Sequence, residues 1–331
     1  METEHLTCLG PEIQYYHHGR FSVTGGVLPD AVTAYRTYGD PNNPCIVFPT
    51  CYGGRLDSQD YMIGPDKALD PTKYYIVTFA LFSNGEAAPY NGPYFPAVSY
   101  EDNIRAQYAV LTNKLEVQKV VAAIGFSMGG QQAYYWPVMY PHYVEKFISI
   151  CGSARTSPHN KCFLEGPKAA LVNSKDFDGG HYATSPQLGS AIMATSWAGG
   201  TPLDDFLRAE WEGGFVTTWD ANDLLTLLNT WQTGDISTVG GVNPNGSDVD
   251  TAFANSLEGI KAKGLIMPCK TDLYFPPEDS EIEMSHMKNG SRLAIINSVW
   301  GHLAGAEVTL RTMRSSRPKL GSSWRRIDRI E

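Results

Sequence analysis

The chain is expected to be an α/β protein, a mostly parallel sheet with helices on both faces and an inserted helical segment. Three observations carry this. Short apolar runs of strand type alternate with stretches of helical spacing, as in Cys45-Ile46-Val47-Phe48-Pro49, Tyr74–Phe79, Val120–Ile124 and Val144–Cys151. One of these, Val120-Val121-Ala122-Ala123-Ile124, passes straight into Gly125-Phe126-Ser127-Met128-Gly129-Gly130 and then into a helical pattern. The strand-type runs stop near residue 186 and resume only at Gly264-Leu265-Ile266-Met267-Pro268 and Arg292-Leu293-Ala294-Ile295-Ile296.

Taken in order, residues up to about Gly39 read as short strands, with Ala31–Tyr38 carrying β-branched and aromatic side chains. Asp40-Pro41-Asn42-Asn43-Pro44 is a turn, and the Cys45–Pro49 strand ends in the glycine-closed loop Thr50-Cys51-Tyr52-Gly53-Gly54. After the Tyr74–Phe79 strand comes a polar, Gly/Pro-rich loop from Ser83 to Pro96. Ser99, with Asp102 three positions on, caps a helix that should reach about Lys114, its apolar face made by Ile104, Tyr108 and Leu111. The helix after Ser127 should be interrupted at Pro137 and ended by Tyr140-Pro141. Residues 186–250 are aromatic-rich, with Trp197, Phe206, Trp211, Phe215, Trp219 and Trp231, and contain the amphipathic run Asp223–Leu228. They read as a helical lid. Residues 1–185 and 251–314 are then the two parts of the core, and residues 315–331 form a basic tail expected to be mobile.

The 331 residues suffice for one large domain with an insertion, and 42% hydrophobic with 18% charged residues is an ordinary globular balance. A formal net charge of −9 argues against nucleic acid and anionic membranes as partners. The polar start Met1-Glu2-Thr3-Glu4-His5 is unlike a secretory signal, and no apolar run has the length of a membrane span, so a cytoplasmic location is expected. Cys8, Cys45, Cys51, Cys151, Cys162 and Cys269 are scattered, with no Cys-x-x-Cys pair; Cys45 and Cys151 fall in strand-like runs and read as buried free thiols. No Cys/His group has zinc spacing, and neither a phosphate-binding loop nor a dinucleotide fingerprint is present. No metal and no tightly held cofactor are therefore expected.

Gly-x-Ser-x-Gly between a buried strand and a helix has the form of a nucleophile elbow, which holds a serine hydroxyl out of the sheet on a strained turn. A serine needs a base, and the base needs an orienting acid. In folds with this elbow the acid and then the histidine follow at later strand ends. Asp272, in Thr271-Asp272-Leu273-Tyr274-Phe275, and His302, in Trp300-Gly301-His302, meet both conditions, with the predicted helix Glu278–Met287 and one strand between them. His17, His18, His142, His159 and His286 lie where the topology does not put a base, and Cys51 has no paired histidine in its segment. The oxyanion donors should be the backbone amides of Met128 and Cys51, with Tyr52 as the alternative to Cys51.

With these residues assembled, the chain resembles the homoserine O-acetyltransferase-like branch of the α/β-hydrolase superfamily. The matching stretches are Ala34–Gly39, Phe95-Pro96, Asp102–Gln107, Gly125–Gln132, Ser153–Asn160, Gly179–Tyr182, Asp272–Pro277 and Trp300–His302. The resemblance implies an α/β-hydrolase fold with a helical lid. It also implies an acyl-serine intermediate with Ser127 as nucleophile, His302 as base and Asp272 as orienter, and Cys51 and Met128 at the oxyanion positions. An acyl-CoA is the usual donor and a hydroxyl the usual acceptor. Leu303 stands where the homoserine enzymes have an acid, and Ala194 and Thr195 where they have an arginine. The expected activity is thus O-acyl transfer to a small or moderately apolar specialised metabolite rather than to homoserine. The alternatives are an esterase or thioesterase that uses water, and a non-catalytic ligand-binding protein of the same fold. The expected partners are small-molecule acyl donors and acceptors, with a homodimer left open.

Overall fold

The computed structural model describes residues 11–305 apart from 66, 88–91, 188–189, 191–217 and 242–247. It opens with an antiparallel pair, β1 (Gln14–Val23) and β2 (Gly26–Tyr38). These are long strands rather than the short ones expected; register shifts near Gly19 let them bend and continue where an unbroken ladder would diverge. Then follow β3 (Cys45–Val47), β4 (Tyr75–Phe79), α1 (Tyr100–Ala109), β5 (Val120–Phe126), α2 (Met128–Met139) and β6 (Lys146–Ile150). The later elements are α3 (Pro158–Val172), α4 (Ala221–Gln232), α5 (Asp248–Glu258), β7 (Lys263–Met267), α6 (Pro277–His286) and β8 (Arg292–Leu293).

The strands form one sheet in the order β1-β2-β4-β3-β5-β6-β7-β8. The pairs from β4 to β8 are all parallel, and β2 alone runs against the others, pairing antiparallel with both β1 and β4. Parallel strands covered on both faces should be apolar throughout. Every residue of β3 and β4 is buried, and so is Phe147–Ile150 of β6. One face carries the core built on Val47, Val77, Phe79, Phe147, Tyr134 and Trp136; the other carries Ile46, Ile76, Ile124, Ile148 and Ile150.

Several elements match the local sequence signals. Ser99 and Asp102 form a reciprocal capping box at the start of α1, and Asp102 also accepts from the amide and hydroxyl of Thr24. The helical path reaches Lys114, but through a wider turn over Val110–Lys114. Others differ. Helix α2 runs through Pro137 to Met139, because only one carbonyl loses its donor and the flanking Tyr134, Tyr135 and Trp136 are buried. β6 begins at Lys146, Val144 making only an isolated bridge to Val120. β8 is two residues long, and the ladder survives beyond it as a single bridge from Cys269 to Ile296. Helix α3 was not anticipated. Ser157 caps it with Pro158 in the first turn, but Gly166-Pro167 in its interior hides the periodicity.

Of the segment read as a lid, α4 is described, and it packs on the core through Leu224, Leu227, Leu228 and Trp231, at helical spacing. Trp197, Phe206, Trp211 and Phe215, with Ala194 and Thr195, lie outside the described residues, as does the tail 315–331. Among the described residues, no helix is long and apolar enough to cross a membrane.

Candidate active site

Ser127 sits between β5 and α2 with φ 56° and ψ −124°, a backbone that side chains rarely adopt. The turn is held from both directions. The Ser127 amide donates to the Ile150 carbonyl at 2.9 Å, and its carbonyl accepts from the Gln131 amide at 3.0 Å. Such a turn leaves no room for a side chain at Gly125: an added Cβ would lie 1.9 Å from the Gly129 carbonyl oxygen. At Gly129 a Cβ would lie 2.9 Å from the Pro49 carbonyl oxygen, so the elbow abuts the loop after β3. Gln132 on α2 secures this contact by donating to the Thr50 carbonyl at 3.0 Å. Met128 and Cys51, whose amides were singled out above, therefore belong to two segments that meet beside Ser127.

Asp272 follows β7 on a tight turn and is 2% exposed. Its Oδ1 accepts from the amides of Tyr274 at 2.8 Å and Phe275 at 3.1 Å. Its Oδ2 lies 2.8 Å from His302 Nδ1. His302 stands on the short turn Gly301–Gly305 after β8. That turn is tied to the Asp272 loop, because the Gly301 amide donates to the Thr271 hydroxyl at 3.0 Å. The Tyr61 hydroxyl donates to the Gly305 carbonyl at 3.0 Å. The imidazole is packed by rings, with centroids 4.9 Å from Phe126, 4.8 Å from Tyr274 and 5.5 Å from Phe275. Its Nε2 lies 2.8 Å from Ser127 Oγ.

The three side chains read from the sequence are thus brought into one hydrogen-bonded line at the C-terminal ends of β5, β7 and β8. With Nδ1–H donating to Asp272, Nε2 is free to accept the Ser127 proton, and this is the tautomer that fits both contacts. Such a line can turn an alcohol into a nucleophile and hand its proton onward. Cys51 does not compete: burial pushes its thiol up to about 12, so it keeps its proton. The histidines set aside are placed elsewhere, His17 against Asp30, His18 against Thr33, His142 near Lys261, and His159 against the Leu273 carbonyl.

Two residues at the site carried no sequence signal. Cys151, read only as a buried thiol, brings its Sγ within 4.8 Å of the Asp272 and His302 donor atoms. These three have metal-ligand chemistry, but the Asp272 and His302 atoms are already hydrogen-bonded to each other. Glu283 on α6 is buried and joins two segments of the elbow region. Its Oε2 accepts from the Tyr134 hydroxyl at 2.5 Å and its Oε1 from the Ala154 amide at 2.6 Å. A carboxylate in an otherwise polar helix gives no hint of burial.

The comparisons identify the family that carries this fold. The family model described as the alpha/beta hydrolase fold matches residues 44–243. An ethyl acetate hydrolase of Pseudomonas veronii is 30% identical over 84% of this chain and 85% of its own length. A homoserine O-acetyltransferase of Methanosalsum zhilinae is 28% identical over 88% of this chain and 69% of its own. The crystal structure of an acetylester hydrolase from Corynebacterium glutamicum superposes with a TM-score of 0.80 at 27% identity, covering 88% of this chain and 90% of that one. By sequence and by fold, the chain belongs to the α/β-hydrolase family, with esterases and homoserine O-acyltransferases among its relatives.

Proposed function

We propose that the chain is a serine esterase that cleaves short-chain carboxylic esters through an acyl-Ser127 intermediate. The observation that carries this is the line from Ser127 Oγ through His302 to Asp272, each contact 2.8 Å. Ser127 Oγ attacks the ester carbonyl while His302 Nε2 takes its proton. The amides of Met128 and Cys51 hold the oxyanion that develops. His302 returns the proton to the departing alcohol. Water then attacks the acyl-serine with His302 as base, and the acid leaves. Asp272 fixes the imidazole and stabilises its charged form.

A short acyl group fits the surroundings. Ser127 is 3% exposed, and the rings of Phe126, Tyr274 and Phe275 crowd the imidazole beside it. The relatives named above as ethyl acetate and acetylester hydrolases point the same way. O-Acyl transfer is the second reading, favoured by the homoserine O-acetyltransferase likeness. It would use an acyl-CoA donor and a small alcohol acceptor, homoserine being disfavoured by Leu303. Both readings suit a cytoplasmic enzyme with small-molecule partners and no bound metal.

A panel of p-nitrophenyl acetate, butyrate and octanoate tests the proposal, together with ethyl acetate and acetyl-CoA, each with and without added alcohols. Acetate esters should be cleaved fastest, with free acid as product. Ester product that rises with added alcohol would replace hydrolysis by transfer. Ser127→Ala should lower kcat by roughly 10⁴-fold or more and abolish labelling by a fluorophosphonate. A wild-type chain that neither labels nor turns over would overturn the enzyme reading in favour of ligand binding.

A further inference from the structure

Cys151 lies directly after β6, at the strand end beside the one that carries Ser127. Its φ is 46°, and Ser127 is another of the few described non-glycine residues with positive φ. Glycine would adopt this backbone without strain, whereas a side chain with a Cβ does so only where its surroundings impose it. Here they do: the Cys151 amide donates to the Met267 carbonyl of β7 at 3.0 Å, which fixes the residue between the two strands. The side chain so directed is fully buried beside the Asp272 carboxylate. Its Sγ, the carboxylate and the His302 ring nitrogen all lie within 4.8 Å of one another.

We propose that Cys151 is a positioning residue whose S–H donates to Asp272 and sets how strongly that carboxylate holds His302. The inference rests on the roles proposed above for Asp272 and His302. The carboxylate already accepts two amides at Oδ1 and the imidazole at Oδ2. One more strong donor would draw charge away from the imidazole; a thiol is a weak donor, so it fills the remaining space while leaving that charge largely in place. Burial, with Asp272 and Cys269 close by, pushes the thiol well above its ordinary range, so it stays a protonated donor. Of the other groups here, Ser127 and Tyr274 also face His302, and burial pushes the Tyr274 phenol up to about 12. Neither the Cys151 thiol nor this phenol changes charge near neutral pH.

The test is the pH profile of kcat/KM on a short-chain ester for the wild type, Cys151→Ser, Cys151→Ala and Cys151→Gly. Serine, the stronger donor, should move the midpoint of the acid limb down by about 0.3–0.5 pH units, and alanine and glycine should move it up by a similar amount. The glycine variant removes the thiol without strain at this φ, so it reports even if the alanine variant folds poorly. The His302 imidazole, followed by ¹⁵N NMR titration, should move in the same order. Equal midpoints in all four proteins, with changes confined to the melting temperature, would reduce Cys151 to packing. If the wild type hydrolyses nothing, the functional reading fails, and the NMR titration alone then decides the role of Cys151.

Discussion

The Asp272 carboxylate has both oxygens committed, one to two backbone amides and one to an imidazole. That division predicts the result of Asp272→Asn. The amides of Tyr274 and Phe275 would hold the asparagine oxygen, leaving its NH₂ to face His302 Nδ1. The imidazole must then carry its proton on Nε2, opposite Ser127, and the serine loses its base. The expected outcome is a fall in kcat of about 10⁴-fold with little change in melting temperature. A variant within tenfold of wild type would remove Asp272 from the mechanism. That Ser127, His302 and Asp272 meet was legible in the sequence because each sits in a short motif whose place along the chain is dictated by topology. Cys151 and Glu283 were not, since what each one touches is decided by strands and helices distant in sequence.

Among the elements, the β5–Ser127–α2 unit has the least tolerance. A Cβ at Gly125 would overlap the Gly129 carbonyl group at 1.9 Å, and both partners are backbone, so neither can swing away. Gly125→Ala should therefore destabilise the protein by several kcal/mol, or prevent folding, and lose activity together with stability. Thermal melts alongside fluorophosphonate labelling would show this; a stable, fully active variant would mean that the elbow is looser than described. This unit was readable because strand, glycines and helix are contiguous. Strand lengths were less so. β8 shrinks to Arg292–Leu293 and β1–β2 lengthen past their expected ends, because pairing partners and bulges, not local propensity, set where a ladder stops. Helix α3 shows the converse, since a good cap at Ser157 outweighs an internal glycine and proline.

At the scale of the whole molecule, one buried and one half-buried titratable group, Glu283 and His18, should shape stability against pH. Burial pushes the Glu283 carboxyl from 4.5 up to about 8. Between those values the unfolded chain has lost this proton and the folded chain keeps it, so stability falls as pH rises. His18 on β1 goes the other way: burial, helped by the neighbouring His17, lowers it from 6.5 to about 4. Between those values the unfolded chain takes up a proton that the folded chain refuses, so stability falls as pH drops. From pH 4.5 to 6.5 the two slopes oppose each other; from 6.5 to 8 only the Glu283 slope remains. Glu283→Gln keeps a neutral partner for Tyr134 and Ala154. It should flatten the melting-temperature profile between pH 6.5 and 8 relative to wild type, as differential scanning fluorimetry across buffers would read. Parallel profiles for the two proteins would show that Glu283 does not titrate in this range.

The order in which the site is assembled has a consequence for synthesis. Ser127 is made early and β7, with Asp272 behind it, only after the inserted segment; His302 comes later still, beyond β8. A ribosome releases the chain from its N-terminus, so a nascent polypeptide can form its first strands and the elbow while the base is still untranslated. Prematurely terminated products would carry a serine without its imidazole partner, and the hydrogen-bonded line would be completed in a single late event.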